Sequence, residues 1–311
     1  MSKTAYIFPG QASQYVGMGQ DFYQSSPKVK KLYDRASDIL GYDLPDVSFK
    51  GPLDKLTETM HTQPAILVHS LAVLIELGDP EGELAFAAGH SLGEYSALAC
   101  AGVLSFEDAI AAVRERSRLM QADCDAEDGT MAALIGCEGE NLEKLIQAAS
   151  QAGIVQPANF NSPGQVAISG SRAGVEKAIE LAKDYGAKKA IPLQVGGAFH
   201  SPLMASAQKQ LGEVLEMMNF NPASVPVVTN VRAEGETESA VLKQLLVDQI
   251  TSPVLWRQSV ENMIAGGVSK FVEIGPGKVL SGLVKRISRE VTIENIDTLE
   301  DLEKYREGVQ A

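Results

Sequence analysis

The chain has 311 residues, 45% of them hydrophobic, and a formal net charge of −13. That length corresponds to about two domain-sized units with enough apolar material for a core, so neither disulfides nor a structural metal are needed to hold it. The acidic balance argues against a nucleic-acid binder, which needs a basic surface for phosphates. Two gatherings of basic residues, Lys183, Lys188 and Lys189, then Lys278, Lys285, Arg286 and Arg289, are either solvated faces or docking patches. Cys100, Cys124 and Cys137 lack CxxC spacing and cannot all pair, which points to a reducing compartment. The start, MSKTAYIFPG, runs straight into a strand-like segment without a signal-peptide pattern. No apolar stretch is expected to reach the length of a membrane span. A soluble, cytoplasmic chain acting as a monomer is the expectation.

Residues 6–9 form the first candidate strand, followed by Gly10 and the polar run Gln11-Ala12-Ser13-Gln14. The segment AILVHSLAVLIEL then reads as an apolar helix in which His69 is a core histidine. Residues 84–88 make a second strand, which leads into Gly89-His90-Ser91-Leu92-Gly93, a GxSxG pattern. A helix follows, with Leu92, Tyr95, Ser96 and Ala99 on one face and Gly102 at its end. Ser105 and Asp108 open the next helix as a capping pair, and its stripe is Ala109, Ala112, Val113 and Met120. Arg116 falls in the middle of that stripe at about 100° per residue, whereas Arg114 and Arg118 point the other way.

The pattern then changes. Residues 130–137 read as a strand, Leu142, Leu145, Ile146 and Ala149 as a helical stripe, and residues 154–160 and 165–169 as strands joined by Asn161-Ser162-Pro163-Gly164. A helix capped by Ser171 and stopped by Gly186 precedes a last strand, residues 187–194. This βαββαβ order is ferredoxin-like and spans residues 128–195. It would be an insertion dividing a larger unit, residues 1–127 and 196–311. In the larger unit, short strands such as residues 225–229 and 270–274 alternate with helices, the sign of an α/β fold with a mostly parallel sheet. Ligands in such folds gather at the carboxyl ends of strands, where Gln11, Ser91 and Gly275 lie.

In the GxSxG turn, two glycines let the chain reverse sharply and expose Ser91, while Leu92 offers a backbone N–H at a helix start, where an oxyanion is favoured. An isolated GxSxG is also compatible with a plain helix start; the strand-turn-helix context favours a nucleophile. A serine nucleophile needs a base, and the chain has four histidines. His90 is adjacent and should diverge from Ser91, and His61 and His69 read as packing residues. His200 precedes Ser201-Pro202 and a helix with the stripe Met204, Ala207, Leu211, Leu215 and Met218. The positive end of that helix should keep its imidazole neutral. The inward Arg116 needs an acidic partner, either a structural carboxylate or a bound acid. The histidines lack metal-ligand spacing and GPGK at 275–278 lacks full phosphate-loop spacing, so neither a metal nor another cofactor is expected.

Five motifs in order, FPGQASQ at 8–14, GHSLGEYSAL at 89–98, NFNSPGQVAISG at 159–170, AFHSPLM at 198–204 and VEIGPGKVL at 272–280, resemble the malonyl-CoA:acyl carrier protein transacylase family. The resemblance covers nearly the whole chain. It implies an α/β hydrolase-like large domain with the ferredoxin-like insertion, and malonyl transfer from malonyl-CoA to the phosphopantetheine thiol of acyl carrier protein. By that resemblance Ser91 is the nucleophile and His200 the base. Arg116 holds the free malonyl carboxylate, Gln11 and Leu92 form the oxyanion hole, and Gln249 orients His200 through its carbonyl. Many relatives carry a small or polar residue before the histidine, where this sequence has Phe199. Two other readings compete: a serine esterase or thioesterase, and a non-catalytic docking protein. The first lacks an acid between Ser91 and a histidine near the chain end and has no use for Arg116; the second predicts loss of Ser91, His200 or Arg116.

Overall fold

The structure, a computed structural model, describes residues 3–78 and 83–310. In chain order its strands are β1 (Lys3–Phe8), β2 (Glu83–Gly89), β3 (Gly129–Ile135), β4 (Val155–Ser162), β5 (Gln165–Ser171), β6 (Lys189–Pro192), β7 (Val227–Val228), β8 (Gly235–Glu236), β9 (Val268–Ile274) and β10 (Thr292–Ile296). Six of them form one sheet in the order β10-β9-β1-β2-β7-β8, parallel throughout except for the β7–β8 pair. The other four form an antiparallel sheet in the order β4-β5-β3-β6.

Alternation along β1 shows why its apolar run is continuous. Tyr6 and Phe8 enter the core on one side of the large sheet, and Ala5 and Ile7 enter the core on the other. β8 and β10 were not expected. β8 is two residues long, too short for a pattern, and β10 is an edge strand whose residues are mostly half-buried.

The helix Thr59–Leu77 corrects the expectation that no segment reaches membrane-span length. By length and composition it does, but it is mostly buried, as a core helix is. The helix Gly93–Cys100 is likewise buried on all sides over Gly93–Ala99 rather than along a single face. The helix Phe106–Ala126 is capped by the Ser105 side chain, which accepts from the Asp108 N–H, and its buried residues include Ala109, Ala112, Val113, Arg116 and Met120.

From β3 to β6 the order of elements is βαββαβ, with a third core of its own. Its hairpin is tighter than expected. Asn161 and Ser162 belong to β4, leaving Pro163-Gly164 as the turn, with Gly164 at φ +71, where a side chain would be strained. β6 is shorter than its expected range. β4 is tied to the loop before the helix Trp256–Ala265 by a bridge between Asn159 and Val254, where the Phe160 N–H donates to the Val254 carbonyl at 2.9 Å. β4 also reaches the residue after β2, where Asn161 Oδ1 meets His90 Nε2 at 2.9 Å.

Candidate active site

Ser91 stands where β2 hands over to the helix Gly93–Cys100. Its φ is +52, in the left-handed region unfavourable to a residue with a side chain, so the turn is held strained from outside. Asn230 supplies that hold: its Oδ1 accepts from the Ser91 N–H at 2.7 Å, and its Nδ2 donates to the Gly89 carbonyl at 2.6 Å. Both glycines of the motif are sterically required. A Cβ on Gly89 would lie 1.9 Å from the Gly93 carbonyl carbon, and one on Gly93 would lie 2.1 Å from the Phe8 carbonyl oxygen.

The serine opens into a cavity of about 250 Å³, lined among others by Gln11, Leu92, Arg116, Phe199 and His200. A larger open hollow of about 850 Å³ around Asp34, Asp38 and Asp46 shares none of these residues. His200 Nε2 lies 2.8 Å from Ser91 Oγ, and His200 Nδ1 lies 2.8 Å from the Gln249 backbone carbonyl. A carbonyl only accepts, so Nδ1 carries the proton and the Nε2 lone pair faces the serine hydroxyl. His200 is 3% exposed. Burial, and next the charge of Arg116, lower its pKa to about 3, so it is neutral at pH 7. The expected helix-dipole cause is replaced by these two, because His200 precedes only a single 3₁₀ turn, Pro202–Met204, before the helix Ala205–Glu216.

Arg116 is 1% exposed and points at the same hydroxyl. Its Nη2 donates to Ser91 Oγ at 3.1 Å and to Gln249 Oε1 at 2.9 Å, and its Nη1 donates to Gln63 Oε1 at 2.6 Å. These partners are a hydroxyl and two neutral amides. Among the described residues no carboxylate pairs with the guanidinium, and its buried Nε has no partner. Of the two partners open to Arg116 on sequence grounds, a structural carboxylate is therefore not the one seen. The cation is aimed at the nucleophile with no carboxylate in contact, and its Cζ lies 5.7 Å from the centre of the Tyr95 ring.

Gln11 follows β1 in a loop fixed by Ser13 Oγ, which donates to the Gly10 carbonyl at 2.7 Å, and by Gln14 Oε1, which accepts from the Ala12 N–H at 2.8 Å. Leu92 is buried beside Ser91. Gln249 does more than its carbonyl alone suggested, since its Nε2 donates to the Ser91 carbonyl at 3.0 Å and to Glu94 Oε2 at 2.7 Å. Gln11, Leu92, Arg116 and His200 thus line the cavity into which Ser91 opens, and Gln249 stands behind it on Arg116 and His200.

Of the other histidines, His90 lines the same cavity without bonding the hydroxyl, whereas His61 and His69 lie outside that lining. His90 Nε2 meets Asn161 Oδ1 at 2.9 Å and its ring packs on Trp256, His61 Nδ1 meets the Lys55 carbonyl, and His69 Nε2 meets Asp297. Glu94, Asn230 and Gln63 were not anticipated. Only Glu94 left a trace, as the single charge in the buried helix GEYSALAC. Among the described residues no group of three or more His, Cys, Asp or Glu side chains is arranged to hold a metal. Lys278, Lys285 and Arg289 line an open cleft of about 580 Å³ beside the helix Val279–Ile287, whose Val279, Leu280 and Leu283 line the cavity of Ser91.

Sequence and structure comparisons show the family to which the chain belongs. The family model described as acyl transferase domain matches residues 5–310. A malonyl CoA-acyl carrier protein transacylase of Bacillus subtilis is 47% identical over 304 residues, 96% of each chain. An acyl carrier protein S-malonyltransferase of Vibrio cholerae superposes with a TM-score of 0.93 at 44% identity, over 98% of this chain and 100% of that one. A solved complex described as a type II PKS acyl-carrier protein with its malonyl-transacylase matches at 41% identity and a TM-score of 0.93, over 99% of this chain and 100% of that one. The chain belongs to the acyl transferase family, as an acyltransferase similar over nearly its whole length to malonyl CoA-acyl carrier protein transacylases.

Proposed function

We propose that this enzyme transfers malonyl from malonyl-CoA to the phosphopantetheine thiol of acyl carrier protein, in fatty acid synthesis, through a malonyl-Ser91 intermediate. The observation that carries the reading is the convergence on one hydroxyl of a neutral base and an arginine with no carboxylate partner. A hydrolase needs the first; only a carboxylated acyl group uses the second.

In the first half-reaction Ser91 Oγ attacks the thioester carbonyl while His200 Nε2 takes its proton. The oxyanion is received by the N–H groups of Leu92 and Gln11, at the positive end of a short buried helix and in a fixed loop. The intermediate collapses, the carbon–sulfur bond breaks, and the coenzyme A thiolate leaves with the proton from His200. In the second half-reaction the carrier thiol gives its proton to His200 and attacks the acyl-serine, and Ser91 departs reprotonated. The Gln249 carbonyl holds the Nδ1 proton throughout.

Arg116 has two parts in this scheme. It pairs in a fork with the malonyl carboxylate, exchanging amide acceptors for an ionised one. That pairing also neutralises the charge that helps depress His200, so an acyl group with a carboxylate makes the base stronger on arrival. Acetyl groups bring no such change.

The reading extends to the architecture. Residues 1–127 and 196–311 form the α/β hydrolase-like catalytic domain and residues 128–195 a ferredoxin-like subdomain, supported by the element order and the antiparallel sheet order β4-β5-β3-β6. The enzyme acts as a cytoplasmic monomer without a cofactor, and the acidic carrier approaches over the cleft of Lys278, Lys285 and Arg289. The test is direct: holo carrier and malonyl-CoA are incubated with enzyme, and the carrier is weighed by mass spectrometry. Malonylated carrier is expected; free malonate as the sole product would establish a hydrolase.

A further inference from the structure

Glu94 takes no part in the steps above, yet its carboxylate is buried beneath the serine turn at 1% exposure. Among the described residues it forms no ion pair. A buried carboxylate without an ion pair is costly, so its retention in an apolar helix needs a use. Burial raises its pKa to about 7 even though Gln249, Asn230 and Arg116 favour the ionised form.

Its contacts lead to Ser91, Arg116 and His200. Glu94 Oε2 accepts from Gln249 Nε2 at 2.7 Å and from the Asn230 N–H at 3.1 Å. The Gln249 amide has only one orientation that suits both neighbours: Nε2 faces the carboxylate, which only accepts, and Oε1 faces Arg116, which only donates. Turned over, it would set oxygen against oxygen and NH₂ against guanidinium. The same residue's backbone carbonyl holds His200. Asn230, the second residue on Glu94, clamps the strained turn at Ser91 and Gly89.

We propose that Glu94 is a positioning residue for acyl transfer, whose carboxylate acts through Gln249 on Arg116 and His200 and through Asn230 on Ser91. This rests on the assignment of Ser91, His200 and Arg116 given above. What matters is the reach of the acceptor oxygen rather than charge alone. Glu94→Gln keeps an oxygen at the same distance, Glu94→Asp keeps the charge but withdraws it by one methylene, and Glu94→Leu removes both.

The test is single-turnover acylation of Ser91 by malonyl-CoA and acetyl-CoA, normalised to titrated active sites so that misfolded protein does not count. Glu94→Gln is expected to lose no more than about tenfold. Glu94→Leu should lose about a hundredfold, the scale of a misplacement near 1 Å, and its preference for malonyl over acetyl should fall as Arg116 is released. Glu94→Asp should fall between them, and it carries the test if the leucine variant does not fold. Equal rates per site in all variants, or Glu94→Asp exceeding Glu94→Gln, would overturn the proposal. Wild type that forms no malonyl-Ser91 at all would overturn the acyl-transfer reading itself, a separate outcome.

Discussion

Replacing Arg116 by alanine separates substrate selection from the chemistry of the serine. The guanidinium is buried and bonded at 2.6, 2.9 and 3.1 Å to Gln63, Gln249 and Ser91, so a malonyl carboxylate would meet a dry, pre-aimed fork. Truncating one partner of a buried, hydrogen-bonded charge pair costs about 2–5 kcal/mol. At 1.4 kcal/mol per decade this is about 30-fold to a few thousandfold in the malonyl acylation rate. Acetyl acylation loses no such pair, and removing the cation relieves part of the depression on His200. Its rate should therefore stay within about tenfold, because most of the malonyl loss comes from the carboxylate pair that acetyl never forms. The assay is quenched-flow acylation followed by intact-protein mass spectrometry with each acyl-CoA. Equal losses for malonyl and acetyl would show that Arg116 only supports the fold and would refute the argument.

Stability should respond to pH with two opposing signs. His200 titrates at about 3 folded against 6.5 unfolded, so the unfolded chain binds more protons between these values. Its contribution is complete above 6.5 and lost as the pH falls toward 3. Urea titrations at pH 5 and 7 should show a smaller acid loss in His200→Gln than in wild type; equal losses would contradict this. Glu94 runs the other way, at about 7 folded against 4.5 unfolded, so its contribution is present below 4.5 and lost as the pH rises through 7. Glu94→Gln should gain stability relative to wild type between pH 5 and 8. Gly89→Ala, whose Cβ meets backbone at 1.9 Å, should lose about 1–3 kcal/mol or more and most acylation, read by denaturation and active-site titration. Burial pushes the thiols of Cys100 and Cys124 up to about 12, so iodoacetamide at neutral pH should leave activity intact; rapid inactivation would contradict that.

Residues whose role depends on local pattern are the ones legible in the sequence. Ser91 is announced by a turn between a strand and a helix, and Arg116 by its place in an apolar stripe, both features of a few consecutive residues. His200 stands out mainly because its three rivals have better structural explanations. Asn230 and Gln63 have no local signal, since their functions exist only through partners 139 and 53 positions away. Family likeness points to Gln249 for its carbonyl, while the orientation of its amide needs the positions of Arg116 and Glu94. The cause of the low His200 pKa is hidden for a related reason: burial and the neighbouring cation come from tertiary packing, and the sequence shows only a helix start. Among the strands, β1 has a continuous apolar run from Ala5 to Phe8, whereas β8 is defined only by its pairing with β7.

The central claim is that Ser91 carries the malonyl group between two thiols. Wild-type enzyme mixed with malonyl-CoA and no acceptor should gain a malonyl adduct that peptide mapping places on Ser91, and addition of holo carrier should discharge it to the carrier. Ser91→Ala should gain none. An adduct that persists in Ser91→Ala, or one that holo carrier does not remove, would contradict the account.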